Sequence, residues 1–208
     1  MTEGPLLTTE RLELWRPVAT DHAGLYAMMQ SPVTRRFLGS WEPSEADLHA
    51  RLLRNAGSWA LYGYGTFMVR RRGEGRIVGN CGIFHSWRGL GADFDDLPEA
   101  GWILADDQVG QGVAGEAMRA AYAWFDATHG PRRTVCMIDP DNTPSIRMAE
   151  KLGFTPLRAA EFGGEKVGHG VYHQAHLHQP GLALSQHASR IVLGSDPSAG
   201  IAQRHHLS

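Results

Sequence analysis

A glycine-rich stretch at residues 109–116 (VGQGVAGE) constrains this chain most, because it lies between a predicted strand and a predicted helix. The first turn of a helix leaves several backbone N–H groups without partners, and the helix macrodipole is positive there. Glycine lets an anion approach such a backbone closely. We therefore predict a pyrophosphate-binding loop for a nucleotide-containing cofactor. Its predicted binding residues are Val109, Gly110, Gln111, Gly112, Val113, Ala114 and Gly115.

These glycines are compatible with two kinds of cofactor, of which the first is a dinucleotide. Gly110, Gly112 and Gly115 match the G-x-G-x-x-G fingerprint, and Asp139 follows the next predicted strand. Against this alternative, residues 105–108 separate the loop from the strand before it, and about half of the chain precedes the loop. Too little chain follows the loop to complete the parallel sheet that the fingerprint requires.

The second interpretation is coenzyme A binding, and it rests on a further segment, NTPSIRMAEKLGF at residues 142–154. Together with the glycine loop, this segment is similar to the GNAT superfamily of N-acetyltransferases. The loop resembles that family's signature, [Gln/Arg]-x-x-Gly-x-[Gly/Ala], with Gly112 and Ala114 in the last two defined positions. Val109 stands where Gln or Arg is usual, which removes a side chain but leaves the backbone amides in place.

Two more segments resemble one branch of this family, the enzymes that acetylate ribosomal-protein N-termini. Residues 9–17 (TERLELWRP) resemble the opening strand of that branch, and residues 99–104 (EAGWIL) resemble its fourth strand. The resemblance covers about residues 7–175, in the family's order. It implies transfer of an acetyl group from acetyl-CoA to a primary amine, by direct attack in a ternary complex. The acceptor is either a protein N-terminus or a small amine.

The resemblance also implies an α/β (α+β) fold, the acyl-CoA N-acyltransferase fold. This fold has a mixed, mainly antiparallel sheet with splayed central strands and helices on both faces. The turn GEG at residues 73–75 agrees with it, because it joins two predicted strands into an antiparallel hairpin. We predict an N-acetyltransferase domain at residues 7–178, followed at 179–208 by a flexible tail rich in Gly, Ser, Ala and His.

Several helix ends can be predicted from the sequence. Ser44 and Asp47 resemble a capping box for a helix that continues through the following apolar residues. Thr143 and Pro144 indicate the start of a later helix, and Gly153 indicates its end. The stretch at residues 86–98 is predicted to be a loop.

The resemblance implies the remaining cofactor contacts. The pantetheine arm of the cofactor would lie between the splayed strands and pair with backbone groups near Ile103 and Leu104. Asn142 resembles the family asparagine that bonds this arm, although Asn is also a preferred helix cap. Ser145 is the candidate acid for the departing thiolate, because Ala149 and Glu150 occupy the neighbourhood where many members have a tyrosine.

Glu99 is the candidate general base, because it begins a strand that is otherwise apolar. The alternative is an ordinary strand-end carboxylate in solvent. The cluster of Asp93, Asp95 and Asp96 is a weaker candidate, and it is better explained as attraction for a cationic amine or as a solvated loop.

Composition limits the other classes of function. The net charge of −2 gives no support for binding nucleic acid, and no apolar stretch is long enough to span a membrane. The N-terminal residues do not resemble a signal peptide, so we expect a cytoplasmic protein. Cys81 and Cys136 are predicted to be buried free thiols, and the histidines at 169, 173, 176 and 178 do not have metal-site spacing.

Three functions therefore remain at this stage. The first is an acetyl-CoA-dependent N-acetyltransferase that needs no metal and acts as a monomer or a homodimer. The second is a non-catalytic acyl-CoA sensor that keeps the loop but lacks a working acid. The third, which the glycine fingerprint alone favours, is a nicotinamide-dependent oxidoreductase.

Overall fold

The computed structural model describes residues 4–39, 42–162 and 165–174. Within these residues, the strands are β1 (Leu7–Thr8), β2 (Leu12–Trp15), β3 (Thr66–Arg71), β4 (Ile77–Phe84), β5 (Glu99–Leu104), β6 (Thr134–Ile138), β7 (Thr155–Phe162) and β8 (Glu165–Gln174). The α-helices are α1 (His22–Met29), α2 (Pro32–Arg35), α3 (Glu45–Tyr62), α4 (Ala92–Asp95), α5 (Val113–His129) and α6 (Thr143–Lys151). Short 3-10 turns lie at Ala19–Asp21 and Asp106–Gln108.

The strands form one mixed, mainly antiparallel sheet in the order β1-β2-β3-β4-β5-β6-β8-β7. Among the described strands, only β5 and β6 are parallel, and Glu99 and Val135 are the one pair of residues in register between them. The strands diverge beyond this pair. The predicted mixed sheet with splayed central strands is therefore confirmed.

Helices cover both faces of the sheet. Phe67 packs with α5 in the largest apolar cluster, whereas its neighbour Met68 packs with α1 and α3 in a second cluster. Because adjacent residues of a strand point to opposite faces, α5 and the pair α1 and α3 lie on opposite sides. Further along the sheet, α6 contributes Ala149 to the α5 cluster, and Phe94 of α4 packs against β6 and β8 in a third.

The predicted helix ends are confirmed. The Ser44 hydroxyl accepts a bond from the Asp47 N–H at 3.2 Å, and the Asp47 carboxylate accepts one from the Ser44 N–H at 3.0 Å. Pro144 lies in the first turn of α6, and Gly153 follows its end with a φ of +85°. Only glycine adopts this backbone conformation at little cost.

Residues 86–98 were predicted to be a loop, and there the structure differs by including the one-turn helix α4. A helix this short has no apolar periodicity, so its sequence does not distinguish it from a loop. The Asp95 carboxylate accepts bonds from the backbone N–H groups of Arg88 and Gly91, at 2.8 and 2.9 Å, and holds the segment together. The predicted tail at 179–208, with His176 and His178, lies outside the described residues.

The close approach of β3 to β4 predicts a stability effect at Gly82. A Cβ at this position would lie 2.8 Å from the Gly65 carbonyl oxygen and 2.9 Å from the Thr66 Cα. Both are backbone atoms, so the strands must separate, and we expect Gly82→Ala to lower the free energy of unfolding by about 1–3 kcal/mol. Urea denaturation measures the change. Gly75→Ala is the matched control, because a Cβ there meets no atom within 4 Å. Equal losses in both variants would contradict this account.

Candidate active site

The gap between β5 and β6 exposes backbone groups of β5. The Pro98 carbonyl accepts a bond from the Val135 N–H at 3.0 Å, so it faces β6. The Ala105 N–H bonds the Val78 carbonyl at 3.0 Å, so it faces β4. Since backbone groups alternate in direction along a strand, those of Trp102 and Leu104 face the gap.

This alternation distinguishes the two predicted β5 contacts. Leu104 presents its backbone to the gap, where an extended ligand can pair with it. Ile103 is in register with Asn80 and directs its backbone groups to β4. Trp102 was missed by the sequence reasoning, because the direction of a backbone group depends on register, which the sequence alone does not give.

The glycine loop presents the start of α5 without a side-chain cap. Gly112 caps the helix with a φ of +76°, Gly110 has a φ of +78°, and no side chain caps the first turn. Glu116 donates its N–H to the Gly112 carbonyl at 3.0 Å, so the N–H groups before it lack acceptors within the helix. A Cβ at Gly110 would meet no atom within 4 Å, which leaves the loop open to an anion.

Side chains from the start of the chain hold this loop in place. The Glu116 carboxylate accepts bonds from the Thr9 hydroxyl at 2.6 Å and the Arg11 Nε at 2.6 Å. Arg11 also donates to the Gln111 carbonyl at 3.0 Å. Burial opposes ionisation of Glu116, but the bonds from Thr9 and Arg11 hold its pKa below the usual value. The loop therefore has a fixed connection to the turn between β1 and β2.

Ser145 lies at the start of α6, beside β5. Asn142 caps this helix by accepting the Ser145 N–H at 3.2 Å, so the capping alternative for Asn142 is realised in this structure. The Trp102 indole Nε1 donates to the Ser145 hydroxyl oxygen at 3.2 Å. An indole N–H only donates, so the Ser145 proton stays free for another acceptor. Its distance to a thioester sulfur is untested, and the acid role stays a prediction.

Glu99 is buried at 4% exposure, so the alternative of a strand-end carboxylate in solvent is wrong. Arg88 binds it with two bonds, from Nε to Oε2 at 2.8 Å and from Nη2 to Oε1 at 2.7 Å. The Ser86 hydroxyl also donates to Oε2. Oε1 therefore accepts one of these bonds and Oε2 accepts two, which leaves Oε1 with capacity for another donor.

Glu99 and Ser145 meet the gap from opposite faces of the sheet. Ile103 packs with the α1 and α3 cluster, whereas Trp102 packs with the α5 cluster. By alternation, Glu99 lies on the face of Ile103, and the indole that bonds Ser145 lies on the other. The gap thus has a carboxylate on one side and a hydroxyl on the other.

The aspartates at 93, 95 and 96 differ from one another in the structure. Arg158 binds the Asp93 carboxylate at 2.7 and 2.9 Å, and this bond lowers the pKa of Asp93. Asp95 is buried and bonds to the backbone of its own segment. Asp96 is exposed. Two of the three aspartates, Asp93 and Asp95, are thus engaged in structural bonds. This counts against the weaker hypothesis that the three act together as an acidic cluster.

Both cysteines are free and buried, as predicted. Burial raises the pKa of the Cys81 thiol to about 12, and it also raises the pKa of Cys136. In the described part of the chain, no group of three or more His, Cys, Asp or Glu side chains is placed to hold a metal ion. None of the described helices is long and apolar enough to cross a membrane.

Comparisons with known proteins identify the family. Residues 11–155 match the model of the acetyltransferase (GNAT) domain. The chain belongs to the GNAT family. YkkB of Bacillus subtilis, an uncharacterised protein, is 32% identical over 94 residues, which are 44% of this chain and 51% of YkkB. The match thus spans about half the length of that curated relative.

Solved structures agree with this assignment. A GNAT-family acetyltransferase from Bordetella pertussis is 32% identical, with a TM-score of 0.74, and the match covers 81% of this chain and 98% of that one. RimL, a ribosomal L7/L12 alpha-N-protein acetyltransferase in complex with coenzyme A, is 16% identical, with a TM-score of 0.65 and coverage of 81% and 96%. This second likeness shows the fold alone.

The family and the sheet together count against the dinucleotide-binding alternative. A doubly wound fold needs consecutive parallel strands, and the described sheet has a single parallel pair. The chain has the GNAT acyl-CoA N-acyltransferase fold, and its G-x-G-x-x-G pattern at Gly110, Gly112 and Gly115 is part of the glycine loop of that fold.

The ion pair around Glu99 predicts a coupling that can be measured. Arg88→Met leaves a buried carboxylate without its partner, so we expect a loss of about 3 kcal/mol in the free energy of unfolding. Adding Glu99→Gln removes the buried charge, and we expect the double variant to be more stable than Arg88→Met. Urea denaturation of both single variants and the double variant gives the coupling energy.

The control for this cycle is Arg72→Met, because Arg72 is exposed and its change is expected to stay within about 0.5 kcal/mol. Strictly additive losses at positions 88 and 99 would show that the pair does not stabilise the protein.

Proposed function

We propose that this protein transfers an acetyl group from acetyl-CoA to a primary amine, by direct attack in a ternary complex. The observation behind the proposal is the gap that opens beyond the pair of Glu99 and Val135 and leads toward the uncapped start of α5. Membership of the GNAT family supports the cofactor, as does RimL, whose structure contains coenzyme A. The two free thiols support a cytoplasmic location, because they are typical of a reducing compartment.

The pyrophosphate would bind the backbone amides of the glycine loop, from Val109 to Gly115. The loop fits this role because Gly110 and Gly112 have positive φ and the N–H groups of the first turn of α5 lack helical acceptors. The pantetheine arm would pair with the gap-facing backbone of Trp102 and Leu104, as an added strand does. Asn142 would act on this arm by fixing the start of α6.

In the proposed reaction, the amine nitrogen attacks the thioester carbonyl carbon. A carbon–nitrogen bond forms, the carbon–sulfur bond breaks, and the amine loses a proton. Glu99 would accept that proton at Oε1, directly or through a water molecule. Ser145 would donate a hydrogen bond from its hydroxyl to the departing sulfur and so stabilise the thiolate that leaves. A backbone N–H facing the gap would stabilise the carbonyl oxygen as it becomes negative.

Holding both substrates in one gap would supply much of the rate enhancement. A positioned amine reacts as if its concentration were very high, so neither a metal nor a covalent intermediate is needed. Glu99 and Ser145 lie on opposite faces, which suits a reaction in which the amine and the thiolate occupy opposite sides of the carbonyl.

Ligand-dependent thermal unfolding tests the cofactor. We expect acetyl-CoA and coenzyme A to stabilise the folded protein by about 2–4 kcal/mol at a hundred to a thousand times their dissociation constants. NAD and NADP serve as controls, because they also carry a pyrophosphate. Stabilisation by a nicotinamide cofactor alone would overturn the proposal.

Kinetics of two isosteric variants test the base. Glu99→Gln keeps the shape of the side chain but cannot accept a proton, so we expect kcat to fall about 100-fold with the KM for acetyl-CoA unchanged. Glu150→Gln is the matched control on α6, where Glu150 is exposed. Release of the coenzyme A thiol gives the rates, and thermal midpoints confirm that both variants are folded. An unaltered kcat in Glu99→Gln would remove Glu99 from the mechanism.

The sensor alternative makes a distinct prediction in the same assay. A non-catalytic acyl-CoA sensor would be stabilised by acetyl-CoA but would release no thiol with any amine. Ser145→Ala also separates the enzyme from the sensor, because this change can lower kcat only in a protein that catalyses the transfer. The free proton of the Ser145 hydroxyl favours the enzyme.

A further inference from the structure

Arg51 faces the sheet from the middle of α3. It lies three residues after Leu48 and four before Asn55, and residues at this spacing share one side of a helix. Leu48 and Leu52 are buried in the cluster that packs on the sheet, and the Asn55 amide donates to the Asn80 side chain of β4 at 3.3 Å. The Arg51 side chain is therefore directed at the same face of the sheet that bears Glu99.

The Arg51 guanidinium has an unsatisfied hydrogen-bond donor. Its Nε atom is buried and has no hydrogen-bond partner among the residues that the structure describes. Burial lowers the pKa of Arg51 to about 10, with further lowering from the positive charges of Arg54 and Arg88, while Glu99 opposes the shift. Glu99 is already occupied by two bonds from Arg88. The Arg51 charge is thus close to two other arginines and to one carboxylate that Arg88 already binds.

Two glycines lie beside Glu99 on this face of the sheet. Gly101 follows Glu99 at the next position on the same face, and it is in register with Gly82 of β4. The nearest side chain is Phe84 of β4, because a Cβ at Gly101 would lie 3.0 Å from its ring. Gly101 itself is half-buried.

We propose that Arg51 binds an oxyanion, a carboxylate or a phosphate, on the amine that accepts the acetyl group. This inference rests on the proposed function, because it assigns the substrate class of the same site. A guanidinium suits this role, since its planar set of donors matches both groups. The glycine loop that would bind the cofactor's pyrophosphate precedes α5, which lies on the opposite face of the sheet. Arg51 is therefore not needed for the pyrophosphate and is available to bind the acceptor.

The proposal also explains why a half-buried arginine with an unbonded Nε is present on this face. Such a charge costs stability, so a packed apolar residue in its place should not weaken the fold. We therefore expect Arg51→Met to have a thermal midpoint equal to or above that of the wild type. A residue that only supported the structure would show the opposite.

Matched amines test the substrate class. The pairs are L-phenylalanine with 2-phenylethylamine, O-phosphoethanolamine with ethanolamine, and the peptide amide Ala-Glu-Ala with Ala-Gln-Ala. They distinguish a free amino acid, a phosphate ester and an acidic protein N-terminus as sources of the anion. We expect the anionic member of at least one pair to have the higher kcat/KM, and Arg51→Met to raise its KM about tenfold with kcat little changed.

Arg54→Met is the control, because it removes the same charge from an exposed position on the same helix and should change KM by less than about twofold. The KM for acetyl-CoA should stay constant in both variants. Equal kcat/KM within every pair, or equal effects at positions 51 and 54, would overturn the role of Arg51 while leaving acetyl transfer intact.

If no amine reacts, measurements of ligand binding still test the anion site separately from acetyl transfer. Thermal unfolding with coenzyme A and either N-acetyl-L-phenylalanine or N-acetyl-phosphoethanolamine reports anion binding without turnover. A rise in midpoint that Arg51→Met abolishes would support the anion site even in a protein without transferase activity. The absence of a rise with both probes and of any preference within the amine pairs would refute it.

Discussion

The divergence of β5 from β6 is the constraint on which the rest of this structure depends. β4 holds β5 through a continuous antiparallel ladder, and β8 holds β6 in the same way, so each half of the sheet is paired on its outer side. Between the halves, only Glu99 and Val135 are in register. Unpaired backbone groups inside a sheet need another partner. An extended ligand with its own amide groups could supply that partner by pairing with the exposed side of β5.

The two sides of this gap are suited to recognise ligands by different means. On the proposed cofactor side, the contacts would come from backbone groups of Trp102, Leu104 and the glycine loop, which do not depend on the identity of most side chains. This is why Val109 can stand where Gln or Arg is usual in the family signature without loss of the amides. On the proposed acceptor side, side chains would select the ligand, and Arg51 adds a positive charge there beyond the pair of Arg88 and Glu99. Specificity can therefore change there while the cofactor site stays the same.

Sequence reasoning recovers the parts of the fold that local patterns encode. The glycine loop, the capping box at Ser44 and the stop at Gly153 follow from backbone chemistry within a few residues, and the structure contains all three. It missed contacts that depend on register or on distant residues. The bond from Trp102 to Ser145 spans 43 positions, and the partner of Glu99 lies in a segment whose one-turn helix has no periodic signal. Ile103 was predicted together with Leu104, because the sequence indicates where a strand lies but not the side to which each backbone group points. That side depends on the register with the neighbouring strand.

The charges around Glu99 connect stability to specificity. Arg88 alone neutralises the buried carboxylate, through two bonds that fix its orientation toward the gap. A second arginine is not needed for that pair, and we expect Arg51 to cost stability, because it adds a half-buried charge without a bond at Nε. Local rules of packing tend to be broken where function requires it. The glycine pair at 82 and 101 follows from packing instead, because a Cβ at Gly82 would lie 2.8 Å from the Gly65 carbonyl oxygen and one at Gly101 would lie 3.0 Å from the Phe84 ring. The departure from close pairing on this face is therefore the Arg51 guanidinium, and an anionic group on the acceptor would supply the partner that its Nε lacks.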